Sequence, residues 1–137
     1  MRALFDTGPA ADQDAIAAAA AINDISLTVA ERSGPVLLIA NMGFTDTDAL
    51  GVVTTLEILQ EGVAIAAATQ LVETSATDNL RCSATLMAVV ENAAIAQTFT
   101  LQITPAGTAV DVKINNCSLL AIGLGQLGAE VANFVSP

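Results

Sequence analysis

The sequence has no histidine, tryptophan or tyrosine, and only four lysines and arginines against 14 aspartates and glutamates. Each shortage closes off a class of function. Without imidazole, acid–base chemistry based on histidine and histidine-ligated metal sites are excluded. Four scattered cations under a net charge of −10 cannot neutralise a phosphate backbone, which argues against nucleic acid as a partner. Two cysteines, Cys82 and Cys117, are too few for the disulfide framework of a small secreted domain. They read as small hydrophobes on buried strands, with a single bridge open to them if those strands are neighbours. As nucleophiles they lack a histidine base. The longest apolar runs, 15–22 and 63–68, fall well short of the roughly 18–20 residues that span a bilayer, so no membrane segment is expected. Asp6, Asp12 and Asp14 interrupt the N-terminal stretch, which lacks the order of a signal peptide and implies synthesis in the cytoplasm.

What is present is apolar and aliphatic. The 137 residues amount to one domain, 53% hydrophobic, with 3% aromatics that are all phenylalanine (Phe5, Phe44, Phe99 and Phe134). Such hydrophobicity is incompatible with a disordered chain. Val, Ile, Leu and Ala must fill the interior, which suits two sheets packed face to face. A mean hydropathy of +0.63 is high for a small monomer and points to apolar surface shared between subunits. The acidity fits either solubility through self-repulsion or a high-salt habitat.

Along the chain, residues 1–23 read as an N-terminal arm. Asp12 preceding the alanine-rich run 15–22 also carries the signature of a short helix. From residue 24 the pattern turns to period two, with Ile25, Leu27 and Val29 on one face. Further strands are expected over 36–42, 52–59, 63–72, 80–90, 94–104, 108–114 and 117–124. Turn clusters separate them, among them Gln60-Glu61-Gly62, Pro105-Ala106-Gly107 and Asn115-Asn116. The expected fold is therefore all-β: an eight-stranded antiparallel β-sandwich over 24–124, jelly-roll-like, with arms at 1–23 and 125–137. Residues 43–49 and 73–79 read as polar loops.

The segments Thr98-Phe99-Thr100-Leu101-Gln102-Ile103, Thr108-Ala109-Val110-Asp111-Val112 and Cys117-Ser118-Leu119-Leu120-Ala121-Ile122-Gly123-Leu124 resemble the closing strands of TNF/C1q-like jelly rolls. Proteins of this kind occur among tailed-phage and other viral structural proteins. Val36-Leu37-Leu38-Ile39-Ala40 is similar to an early central strand of the same group, and the likeness covers roughly residues 25–124. The resemblance implies a homotrimer serving as a capsid decoration (cement) protein, a fibre head or an extracellular ligand. The ligand-type members place tyrosines along the trimer axis, and this chain has none, which leaves the assembly version.

No constellation competes with that reading. Asp46-Thr47-Asp48 lacks the spacing of a Ca²⁺ loop. Glu57 with Glu61, or Asp12 with Asp14, has no aromatic platform to make a glycan-cleaving pair. The GxGxxG spelled by Gly123, Gly125 and Gly128 follows a terminal strand, with no βαβ unit around it. Asn116-Cys117-Ser118 matches a glycosylation pattern only by its letters, because Cys117 opens an expected core strand.

The expectation is a non-enzymatic virion protein on the capsid surface, without catalytic, metal or cofactor site. Its partners would be itself, as a homotrimer, and the major capsid protein or another virion component. Leu4, Phe5, Leu127, Val131 and Phe134 are the expected contact residues of its arms. The alternatives are a receptor- or glycan-binding fibre head acting through loops 43–49 and 73–79, and a shell or tail-tube subunit.

Overall fold

The structure, a computed structural model, describes residues 2–11, 13–16, 20–29, 34–46, 52–72, 80–91, 96–106 and 111–124. Within them lie ten strands: β1 (Arg2–Gly8), β2 (Gln13–Ile16), β3 (Ala20–Val29), β4 (Val36–Asp46), β5 (Val52–Gln60), β6 (Val63–Val72), β7 (Leu80–Val90), β8 (Gln97–Ala106), β9 (Asp111–Ile114) and β10 (Cys117–Gly123). Ten replaces the expected eight, and both additional strands come from residues 1–23. β1 pairs with β10 from Arg2↔Gly123 to Gly8↔Cys117, and β2 pairs with β9 from Gln13↔Ile114 to Ile16↔Asp111. The alanine-rich run expected as a possible helix start is thus strand at Ala15, Ile16 and Ala20–Ile22.

Hydrogen bonds at the open side of the sandwich explain why this segment folds back. The Asp6 carboxylate accepts from the Ser26 amide at 3.0 Å, and the Asp24 carboxylate accepts from the Ala10 amide at 3.0 Å. The Gln13 amide group donates to the Ala21 carbonyl at 2.7 Å. Asp24 itself has φ 64°, inside a bulge of β3 against β8 that lets Ile22 and Ile25 both face inward.

β9 and β10 lie end to end along one side of β4, and β1 and β2 lie end to end beyond them. Taken as two broken strands, they reduce the fold to eight ladders. The first sheet then runs β7, β4, β9/β10, β1/β2, and the second runs β6, β5, β8, β3. In chain order these are sixth, third, eighth and first, facing fifth, fourth, seventh and second. That is the doubly wound order of a jelly roll.

The core between the sheets follows the period-two pattern. Leu38, Ala40, Met42, Phe44, Ile114 and Leu119 face Leu56, Ile58, Leu101 and Ile103, all fully buried. Two strands run on past the turns expected to end them. β4 continues through Gly43 and Phe44 to Asp46, because Phe44 is a core residue rather than part of a loop. β8 continues through Pro105 and Ala106, which pair with Thr54 and Val53.

Glu61 and Gly62, at φ 48° and 82°, make the tight hairpin between β5 and β6. The Glu61 amide donates to the Thr98 carbonyl at 2.9 Å, and the Glu61 carboxylate accepts from the Thr98 amide, anchoring the turn to β8.

Candidate functional site

The outward positions of the first sheet form rows across its ladders. Phe5, Leu120, Ile39 and Met87 are successive register partners, and so are Ala3, Ile122, Leu37 and Val89. Phe5, Met87 and Val89 are 64%, 67% and 59% exposed, while Leu37, Ile39, Leu120 and Ile122 are half-buried by their neighbours. None of the eight side chains carries charge, on a protein of net charge −10.

The next row, Thr7, Ser118, Asn41 and Thr85, is polar, and the Thr85 hydroxyl donates to Asn41 Oδ1 at 2.6 Å. Beyond it the register aligns Asp14, Lys113, Thr45 and Arg81. Among the described side chains the face therefore passes from a polar row to two apolar rows.

Strand alternation separates two of the expected contact residues. Phe5 stands out on the edge strand at the end of an apolar row. Leu4, one residue earlier, leans on the core of its own chain. Leu127, Val131 and Phe134 lie outside the described residues, as do the expected loop 73–79, residues 47–49 of the other loop, and Asp12. Sequence reading missed the apolar rows because they are made by register between distant strands. Their one local signal is that 36–40 and 119–122 are apolar on both strand faces.

The remaining candidates resolve into structural roles. Glu57 accepts a hydrogen bond from Gln102 at 3.1 Å on the outer face of the second sheet, while Glu61 belongs to the hairpin. Cys117 is a free, buried thiol, so it forms no bridge with Cys82. Burial pushes its titration up, and its 3.6 Å contact to the Gly43 carbonyl offsets that only in part.

A cleft of about 440 Å³ opens where β1 ends and β10 begins, lined by Thr7, Gly8, Pro9, Ala10, Asn116, Cys117 and Ser118. None of these described lining residues is charged or aromatic. Among the described residues no three acidic or cysteine side chains gather to hold a metal ion, and no helix is long and apolar enough to cross a membrane.

No protein-family profile and no curated protein matches this chain. Solved structures do. One is a structure of infectious bursal disease virus, Gx strain, with TM-score 0.55 and 13% identity over 90% of this chain and 33% of that one. Another is a mutant VP2 protein of the same virus from derived T=1 particles, with TM-score 0.54 and 11% identity over 89% of this chain and 32% of that one. This chain spans about a third of the length of each. At such identity the likeness establishes the fold: an all-β, two-sheet sandwich of the kind those virus proteins contain.

Proposed function

We propose that this chain is a non-enzymatic structural protein of a virion, a capsid decoration protein that self-associates as a trimer and adheres to the outside of the shell. The TNF/C1q-like kinship and a tailed-phage origin belong to the same reading. The observation that carries it is the pair of uncharged apolar rows on the first sheet. An acidic protein that keeps such a face open has a use for it, and a flat apolar sheet suits adhesion rather than turnover. The jelly roll shared with proteins of a virus particle supports the setting, although one fold serves many functions. Phe5 is the contact residue of β1 in this reading, and Leu127, Val131 and Phe134 are those of the C-terminal segment. Binding only to the assembled shell stabilises it by mass action. A glycan-binding head is disfavoured, because no Trp or Tyr is present to stack on a sugar.

Two measurements test this. Light scattering on the purified chain should give three times 13.8 kDa, at low and at high salt. Particles purified by density gradient from cultures that make the chain should carry it, and should lose it when Ile39→Lys and Met87→Lys are introduced together. A chain that never co-sediments with particles overturns the virion reading, and a monomer at both salt levels overturns the trimer.

A further inference from the structure

The first sheet is bounded by β7 on one side and by β1/β2 on the other, and the second sheet by β6 and β3. On the β1 and β3 side the sandwich is closed by the hydrogen bonds from Ser26 to Asp6 and from Ala10 to Asp24. On the opposite side β6 pairs with β5 alone among the described strands. Its outer edge is a row of backbone donors and acceptors with no ladder among the described residues. We propose that β6 pairs antiparallel with β6 of a second copy, so that the two second sheets join edge to edge.

Charge singles out this edge. β1 carries Arg2 and Asp6, β2 carries Asp14, β3 carries Asp24 and β7 carries Arg81. Charges on an edge strand hinder its pairing with another chain, as does proline. β6 has neither in its ten residues. On a chain of net charge −10, a second copy can meet this strand without setting like charges opposite each other. The bulge at Ile65 leaves residues 66–72 in unbroken register with 52–58. Laid antiparallel on themselves, those residues make a ladder of ordinary strand length or more.

The symmetry of such a pair suits adhesion to a surface. Antiparallel copies of one strand in a continuous sheet are related by a two-fold axis perpendicular to that sheet. Each face of the joined sheet stays on its own side, so both copies turn the outer faces of their first sheets the same way. The apolar rows end at Met87 and Val89 on β7, which is the edge beside β6. Pairing therefore brings the two patches next to each other on one surface. Only this use of the pair rests on the virion reading, whereas the pairing itself is a property of the chain alone.

Light scattering on the purified chain, from micromolar to millimolar concentration, tests it. The mass should rise above its dilute value: to twice that value for a monomer, and further for a trimer, whose three edges link it to others. Ala67→Lys, at an exposed position of β6, should hold the dilute mass throughout. Ala67→Pro and Ala68→Pro give a second check, because the amides of neighbouring strand residues point to opposite sides. One of the two removes a donor from the β5 ladder and the other only from the free edge. The variant that keeps its fold should also hold the dilute mass. At high concentration, amide exchange should slow at alternate residues of β6 and not in β1, β3 or β7. A native mass that never rises overturns the proposal. So does a rise that survives both Ala67→Lys and the folded proline variant, or protection gained on another edge. Failure of the virion reading shows elsewhere, in a chain that never co-sediments with particles, and leaves the rise in mass intact.

Discussion

The two outer faces of the sandwich are built from the same alternating pattern and end up chemically opposite. On the second sheet the outward positions of β8 are Thr98, Thr100, Gln102 and Thr104. Two of them are satisfied locally: the hydroxyls of Thr28 and Thr98 share a hydrogen bond at 3.1 Å, and Gln102 donates to Glu57. On the first sheet the corresponding centre is Leu37, Ile39, Leu120 and Ile122, with no polar group to satisfy. A jelly roll needs only its inner faces apolar. The two apolar outer rows of the first sheet go beyond that need, whereas the threonines and glutamine on the second suit contact with water.

The sharpest way to probe that difference is along β4, where inner and outer positions alternate. Leu38 is fully buried, and Leu38→Ala should lower the unfolding free energy by about 3 kcal/mol through lost burial and the cavity left behind. Ile39→Ala, one residue on, should cost clearly less, because part of its side chain is already in water. Urea denaturation of the two variants reads the ratio. Equal losses would mean that the outer face is packed as tightly as the core, and would break the comparison.

The sheets also differ in continuity. In the first sheet the last ladder breaks at Asn115-Asn116, and β4 accommodates the break at Gly43, whose carbonyl accepts from the Asn115 amide at 3.1 Å. A Cβ at Gly43 would stand 2.9 Å from the Asn116 carbonyl oxygen, a backbone atom with little freedom. Gly43→Ala should cost about 1–3 kcal/mol by overpacking. Gly62→Ala has open space around it and only the strain of φ 82° to bear, so it should cost about 1 kcal/mol. Thermal denaturation of both should rank them in that order. The reverse ranking would show that the Asn115-Asn116 break yields to pressure.

These contrasts also mark what the sequence made legible. The jelly roll could be read because β5, β8 and the second half of β3 alternate and turn clusters separate the strands; Phe99, Leu101 and Ile103 face inward as their spacing demands. β1 and β2 could not, because Asp6 and Gly8 occupy inward positions of β1 and alanine dominates the run after β2 begins. What fixes those strands is bonding to β3 and to the chain's far end, some of it 20 residues or more away. The apolar face was half legible. Its rows draw on four separate strands, and local pattern shows only that two of those strands are apolar throughout.

Inside the sandwich, Thr54 sits fully buried with its hydroxyl unpaired, on the same inward face of β5 as Leu56 and Ile58. An unsatisfied buried hydroxyl is destabilising, and valine matches its shape. Thr54→Val should raise stability by about 1 kcal/mol, read as an upward shift of the urea midpoint. A loss would mean that the hydroxyl finds a partner in solution.

The smallest effect is one of pH, and it belongs to the first sheet. Cys117 lies buried at the ladder break, where desolvation disfavours its thiolate and raises its titration above that of the unfolded chain. Between the two values the folded state holds more protons than the unfolded state, so stability must fall as pH rises. Below the ordinary thiol range, about 8.5, the contribution is fully present; above it, the contribution is lost progressively until the folded thiol itself ionises. Cys117→Ala should therefore flatten the alkaline decline in urea midpoint relative to the native chain while leaving the curve near neutrality parallel to it. Parallel curves throughout the alkaline range would show that the break at Asn115-Asn116 admits water to the thiol. The first sheet would then be looser at its centre than its unbroken register along β7 implies.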